Sequence, residues 1–144
     1  MHMNTRIWLA RILIGAVLLI NVQSAFVFFA YPARFAPAYE LSGIPGQTVI
    51  RGFAVLFLMW NVPYVTALIN PIKYRISLYE SIIMQGIGLI GESMILWSLP
   101  PEYMILRGSI LRFIVFDGTG LIALTFAAWI TKSMTTDKSN SNPD

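Results

Sequence analysis

The chain has 144 residues, of which 56% are hydrophobic and only 12% are charged, against about 25% charged residues in soluble domains, so lipid is its expected solvent. Its net charge of +3 comes from scattered basic residues and does not favour nucleic-acid binding. Because there is no cysteine and only one histidine, His2, disulfides, iron–sulfur clusters and haem held by paired histidines are excluded, and no zinc site is expected.

Four long apolar segments follow one another along the chain. They cover about residues 7–30, 48–69, 76–99 and 104–130. Each has the ~20 residues that a helix needs to cross ~30 Å of hydrocarbon. Backbone polar groups must pair within each segment in lipid, so the segments are expected to be helices. The sequence therefore predicts an all-α integral membrane protein, a four-helix transmembrane bundle.

The connections between these segments differ in length. Residues 31–47 contain three prolines and two glycines, a composition typical of a loop. Residues 70–75 and 100–104 are short links, so the helices they join should be antiparallel neighbours. We expect one domain over residues 1–132, followed by a disordered polar tail over residues 133–144.

Lysine and arginine residues indicate the orientation, because cytoplasmic connections carry more of them. One side of the predicted bundle holds both chain ends and the middle connection, with Arg6, Arg11, Lys73, Arg75, Lys132 and Lys138. The other side has Arg34, Arg51 and Arg107. Both termini are therefore predicted to be cytoplasmic.

Two charged residues fall well inside the third and fourth segments. At 1.5 Å per residue, Glu92 lies ~10 Å and Arg112 ~12 Å from the same end of the bundle. An isolated charge at mid-membrane costs roughly 3 kcal/mol, so we expect a Glu92–Arg112 ion pair, which Arg51 could join. Such a pair is either a structural clamp that fixes helix register or part of a ligand or ion site.

Small and polar residues form a stripe along the third helix: Ser77, Ser81, Gln85, Gly88 and Glu92. Small residues let helices approach and polar residues bond across them, so this stripe should face protein or a cavity. In the second helix, Pro63 follows Asn61 and is expected to kink the helix, leaving the Met59 carbonyl without a partner.

Asp117 lies near the centre of the fourth segment. It is five residues from Arg112, about 140° around the helix, so the two side chains cannot face the same neighbour. We expect Asp117 to be protonated, or paired with an amide or a cation from another helix. The predicted ligand-binding residues are Arg51, Asn61, Gln85, Glu92, Arg112 and Asp117.

Arg11 leads the apolar run RILIGAVLLI, the following loop contains FAPAYELSGIP, and the second helix ends in a basic connection. In these features the first half of the chain resembles the DoxX-like group of small four-helix bacterial membrane proteins. The resemblance covers residues 6–75 and implies a bacterial inner-membrane protein. Some relatives are linked to quinone-coupled sulfur oxidation, which implies a quinone as ligand. The second helix has Arg51 where that group often carries a glutamate, so no site residue is taken from the resemblance.

Three functions agree with these observations. The first is an accessory or binding protein whose polar cleft holds a small amphipathic ligand such as a quinone, with Arg51 and Arg112 on the polar head, Glu92 orienting the arginines and Asp117 exchanging protons. The second is a proton-coupled small-molecule transporter that acts as a homo-oligomer. The third is a structural subunit of a larger membrane complex. No P-loop, GxSxG elbow or HExxH motif is present, so an enzyme is not expected.

Overall fold

The computed structural model describes the backbone of residues 3–139 and the side chains of residues 5–132. Its elements are α1 (Met3–Ala30), α2 (Pro32–Phe35), a 3₁₀ turn (Ala36–Tyr39), α3 (Gly43–Trp60), α4 (Val62–Ile69), α5 (Arg75–Ser98) and α6 (Met104–Ser139). Residues 140–144 of the predicted tail lie outside the described residues.

Within the described residues, four helical spans are long and apolar enough to cross a membrane. They are Thr5–Ala30, Gly43–Ile69, Arg75–Ser98 and Met104–Lys132. These spans match the four predicted segments to within a few residues. The largest difference is in the second span, which begins at Gly43 and so includes the last residues of the predicted loop over residues 31–47. The chain is therefore a multi-pass helical membrane protein.

Two ends of the bundle are distinguished by the connections that they carry. The loop end holds residues 31–42 and 99–103, and the terminus end holds the start of α1 and residues 70–74. Near the terminus end the helices pack closely, because Ala10, Ala67 and Ala127 are all fully buried and small side chains allow close approach.

The second span is interrupted at Asn61, between α3 and α4. Asn61 donates its backbone N–H to the Leu58 carbonyl at 3.2 Å, so the Phe57 carbonyl loses its helical partner and accepts the Asn61 side-chain amide at 2.5 Å. The irregularity expected near Pro63 is confirmed as this break. The Met59 carbonyl, expected to be free, accepts a backbone N–H at the break.

The break lets the two halves of the second span take different neighbours. α4 packs against α5, whereas α3 packs against α1 and α2 and makes no extensive contact with α5 in the described chain. α5 and α6 share the largest helix–helix contact, as expected for antiparallel neighbours joined by a short link. The spans therefore enclose space in the middle and the loop-end half of the bundle.

An aromatic cluster fills the loop end. It consists of Phe28, Phe35, Tyr39, Phe53, Phe57, Trp60 and Phe113, with neighbouring ring centroids 4.7 to 6.4 Å apart. The connection over residues 31–42 is tied to α6, because Ser109 Oγ donates to the Ala38 carbonyl at 2.5 Å. Glu40 accepts the Leu106 backbone N–H at 3.4 Å, where a carboxylate is favourable at the helix N-terminus.

Candidate functional site

A cavity of about 580 Å³ lies between the four spans, within the size range of small-molecule sites, about 300–1,000 Å³. Much of its wall is aromatic or aliphatic, as at Phe57, Trp60, Phe113 and Phe116. The polar side chains on the wall come from all four spans: Asn21, Ser24, Tyr64, Gln85, Glu92, Arg112 and Asp117.

A hydrogen-bonded chain of three side chains runs across the wall from α4 to α6. Tyr64 donates its hydroxyl to Gln85 Oε1 at 2.6 Å, and Gln85 Nε2 donates to Asp117 Oδ1 at 2.9 Å. Tyr64 and Gln85 are 2% and 4% exposed, so neither has water to replace these partners. Asp117 is therefore paired with an amide from another helix, one of the two outcomes that the sequence predicted.

Two glycines provide the space for this chain. A Cβ added at Gly88 of α5 would overlap Asp117 Oδ2. A Cβ added at Gly120 of α6 would lie 2.5 Å from Gln85 Nε2, far inside van der Waals contact. The two glycines thus allow α5 and α6 to approach closely while two polar side chains lie between them.

Glu92 and Arg112 both line the cavity, but the expected ion pair between them is not formed. The Arg112 guanidinium donates to the Gly108 carbonyl at 3.3 Å and to Ser109 Oγ at 3.4 Å. Glu92 Oε2 is buried and has no hydrogen-bond partner. Both residues belong to the described part of the chain, so the prediction was wrong.

The reason is the direction in which helical side chains lean. They tilt toward the N-terminus of their own helix, which is the loop end for α6 and the terminus end for α5. Arg112 therefore turns back toward the loop end, while Glu92 leans the other way, toward the level of Asp117. Two residues at the same depth on antiparallel helices have their backbones at the same level, but their side chains tilt in opposite directions.

Two predicted residues lie away from the cavity. Arg51 is exposed on α3 and is not part of the wall. Asn61 is 4% exposed at the helix break, bonded to the Phe57 carbonyl, and its Oδ1 has no hydrogen-bond partner. The structure thus brings together Gln85, Glu92, Arg112 and Asp117 of the six predicted residues and leaves these two outside.

Sequence reasoning missed the aromatic part of the site. On α6, Phe113 and Phe116 precede Asp117 by four and one residues, and on the second span Tyr64 follows Phe57 by seven. Helical periodicity puts Phe113 and Asp117 on one face, as it does Phe57 and Tyr64. That periodicity was the available signal, but aromatic residues facing lipid give the same pattern.

The loop-end aromatic cluster closes the cavity at one end, since Phe57, Trp60 and Phe113 belong to both. Tyr39 lies in this cluster, where burial raises the pKa of its hydroxyl above the ordinary value while the charge of Arg112 lowers it by a smaller amount. At the other end, the buried residues Ile14, Leu78 and Leu124 fill the space between the helices.

The cavity is open sideways, between α3 and α5. The wall residues Trp60, Ile87 and Ile95 are 51%, 66% and 51% exposed. In a membrane this opening faces acyl chains and not water, because it lies within the length of two spanning helices. A ligand dissolved in the bilayer can therefore enter the cavity without first crossing water.

Among the described residues, no group of three or more His, Cys, Asp or Glu side chains could hold a metal ion. Comparison of the chain with protein-family models, with curated proteins and with solved structures gives no match. The geometry and chemistry of the cavity are therefore the guide to its function.

Proposed function

We propose that this protein binds a small amphipathic ligand in the cavity between its spans, as an accessory or binding protein of the bacterial inner membrane with both termini in the cytoplasm. The observation that carries the proposal is a ligand-sized cavity at membrane depth that is open to the bilayer. An apolar wall with a few convergent polar groups is the usual composition of a small-molecule site.

The wall of the cavity has a polar region and an apolar region. Gln85 and Asp117 form a fixed polar patch at the α5–α6 contact, while Phe57, Trp60 and Phe116 offer an apolar surface for the rest of the ligand. A quinone, with a polar ring and an apolar tail, is one member of this class, and the resemblance of residues 6–75 to DoxX-like proteins favours it.

A substitution that fills the cavity tests this proposal. Gly91 lines the wall, and a Cβ added there meets nothing within 4 Å, so Gly91→Leu should occupy ligand space without forcing the helices apart. Gly86 is on the same helix and equally unobstructed but is not part of the wall, so Gly86→Leu is the matched control.

Each protein would be purified in mild detergent and its bound small molecules extracted and identified by mass spectrometry. We expect one compound to be enriched in wild type and in Gly86→Leu and depleted in Gly91→Leu. The same lipids in equal amounts in all three proteins would contradict ligand binding in the cavity.

The two carboxylates in the cavity favour a second candidate, proton-coupled transport by a homo-oligomer. The packed terminus end closes the cavity within one protomer, so a second copy would have to complete a pathway. Uptake into proteoliposomes driven by a pH gradient, and lost in Asp117→Asn, would support this candidate. Uptake unchanged by that substitution would remove the coupling role of Asp117.

A further inference from the structure

The charge of the cavity narrows the class of ligand that the proposed site accepts. Two carboxylates, Glu92 and Asp117, lie on its wall. Asp117 is bonded to a neutral amide, and Glu92 Oε2 is buried without any hydrogen-bond partner. Ionised carboxylates at membrane depth are costly, and two in one site increase that cost, so each must hold a proton or pair with a cation.

Among the described residues, the cation on the wall is Arg112, and it bonds away from the carboxylates. Arg112 bonds to the Gly108 carbonyl and to Ser109, one turn closer to the loop end. Its side chain is exposed, and long basic side chains commonly extend toward the membrane interface in this way. Arg112 therefore leaves the carboxylates without a direct counter-ion.

The remaining wall suits a cation that is itself apolar. The faces of aromatic rings attract positive charge, most strongly for Trp, and Trp60, Phe57, Phe113 and Phe116 all line the cavity. A quinone's carbonyl oxygens could accept from Asn21, Ser24 or Arg112 on the wall, but a neutral quinone would leave ionised carboxylates without a counter-ion.

We propose that the cavity binds a lipophilic organic cation, such as an amine, ammonium or phosphonium with apolar substituents. Glu92 is the main counter-ion, Asp117 is a second one held in place by Gln85 and Tyr64, and the aromatic rings enclose the substituents. The cation enters from the bilayer through the opening between α3 and α5. This inference rests on the proposed binding function and specifies the charge of its ligand.

The first experiment compares two probes of nearly equal size and shape but opposite charge, tetraphenylphosphonium and tetraphenylborate. Binding of each to wild-type protein in detergent is measured by equilibrium dialysis. We expect saturable binding of the phosphonium that is at least tenfold tighter than binding of the borate. Equal affinities, or tighter binding of the borate, would overturn the proposal, and this comparison needs no variant.

The second experiment removes one charge at a time. Glu92→Gln should weaken phosphonium binding at least tenfold, whereas Glu80→Gln, which changes an exposed carboxylate of the same helix outside the wall, should leave it unchanged. Unchanged binding in a folded Glu92→Gln, or an equal loss in Glu80→Gln, would contradict the assignment.

The result for Gly91→Leu separates this inference from the proposed function. If the extracted compound is neutral or anionic and Gly91→Leu removes it, the cavity is a binding site but the ligand is not a cation. If Gly91→Leu affects neither the extracted compound nor the phosphonium, the cavity is not the site and both proposals fail.

Discussion

The contact between Gly88 and Asp117 gives the sharpest prediction about stability. In Gly88→Ala the new methyl group would overlap Asp117 Oδ2, so the carboxylate must move away from Gln85. A hydrogen bond to a charged group contributes about 1.5–3 kcal/mol in soluble proteins, and bonds between membrane helices average about 0.6 kcal/mol. We expect the free energy of unfolding to fall by roughly 1–2 kcal/mol.

Gly86→Ala is the matched control, because a Cβ there meets nothing within 4 Å on the same helix. It should be neutral, or stabilising by about 0.5–1 kcal/mol, since alanine loses less backbone entropy than glycine in a helix. Unfolding free energies would be measured by SDS titration in mixed micelles, followed by tryptophan fluorescence.

A double-mutant cycle identifies the cause of the loss. In an Asp117→Ala background the overlapping carboxylate is gone, so Gly88→Ala should become as harmless as Gly86→Ala. If Gly88→Ala costs the same in both backgrounds, the loss comes from helix packing and not from the carboxylate. If Gly88→Ala is harmless in the wild type, the close contact between α5 and α6 is absent.

Two further substitutions test other hydrogen bonds by the same assay. Tyr64→Phe leaves the buried Gln85 Oε1 without a donor and should cost about 1–2 kcal/mol of unfolding free energy. The control, Tyr79→Phe, changes a residue that is 42% exposed and should cost little. Equal losses in the two variants would argue against the hydrogen-bonded chain. Arg107→Leu removes bonds of 3.1 Å to the Leu96 carbonyl in the last turn of α5 and 2.7 Å to the Leu99 carbonyl just after it, and it should cost about 1–2 kcal/mol. Arg51→Leu, at an exposed position of α3, should stay within about 0.5 kcal/mol. A loss for Arg51→Leu as large as that for Arg107→Leu would contradict the capping role.

For the polar residues of the cavity, depth along the helix predicts which residues lie at the same level of the bundle better than it predicts which side chains are in contact. The rise per residue placed Glu92 and Arg112 at a similar level, and both do line one cavity. The sequence placed Gln85 on the polar stripe of the third helix and Asp117 near the centre of the fourth, and these two side chains bond to each other. Depth predicts which residues share a layer, but not which of them touch, because contact also depends on the direction of each side chain.

Asn61 shows a different limit. Its position before Pro63 predicted an irregular helix, and the break is present. The polar side chain, however, is used within the break, where it bonds to the Phe57 carbonyl that has lost its helical partner. A side chain that satisfies its own backbone cannot be distinguished in a sequence from one that is free for a ligand.

The sequence by itself determined the spans. Lipid offers no partner for backbone N–H and C=O groups, so an apolar run of sufficient length must be a helix, whatever surrounds it. Only the tertiary structure decided where the cavity lies and which groups line it. The position and lining of the cavity depend on the break at Asn61, which separates α3 from α5. They also depend on the opposite tilt of side chains on the antiparallel helices α5 and α6, which turns Arg112 away from Glu92. Both are relations between helices, and the hydrophobic pattern of one helix does not encode the position of another.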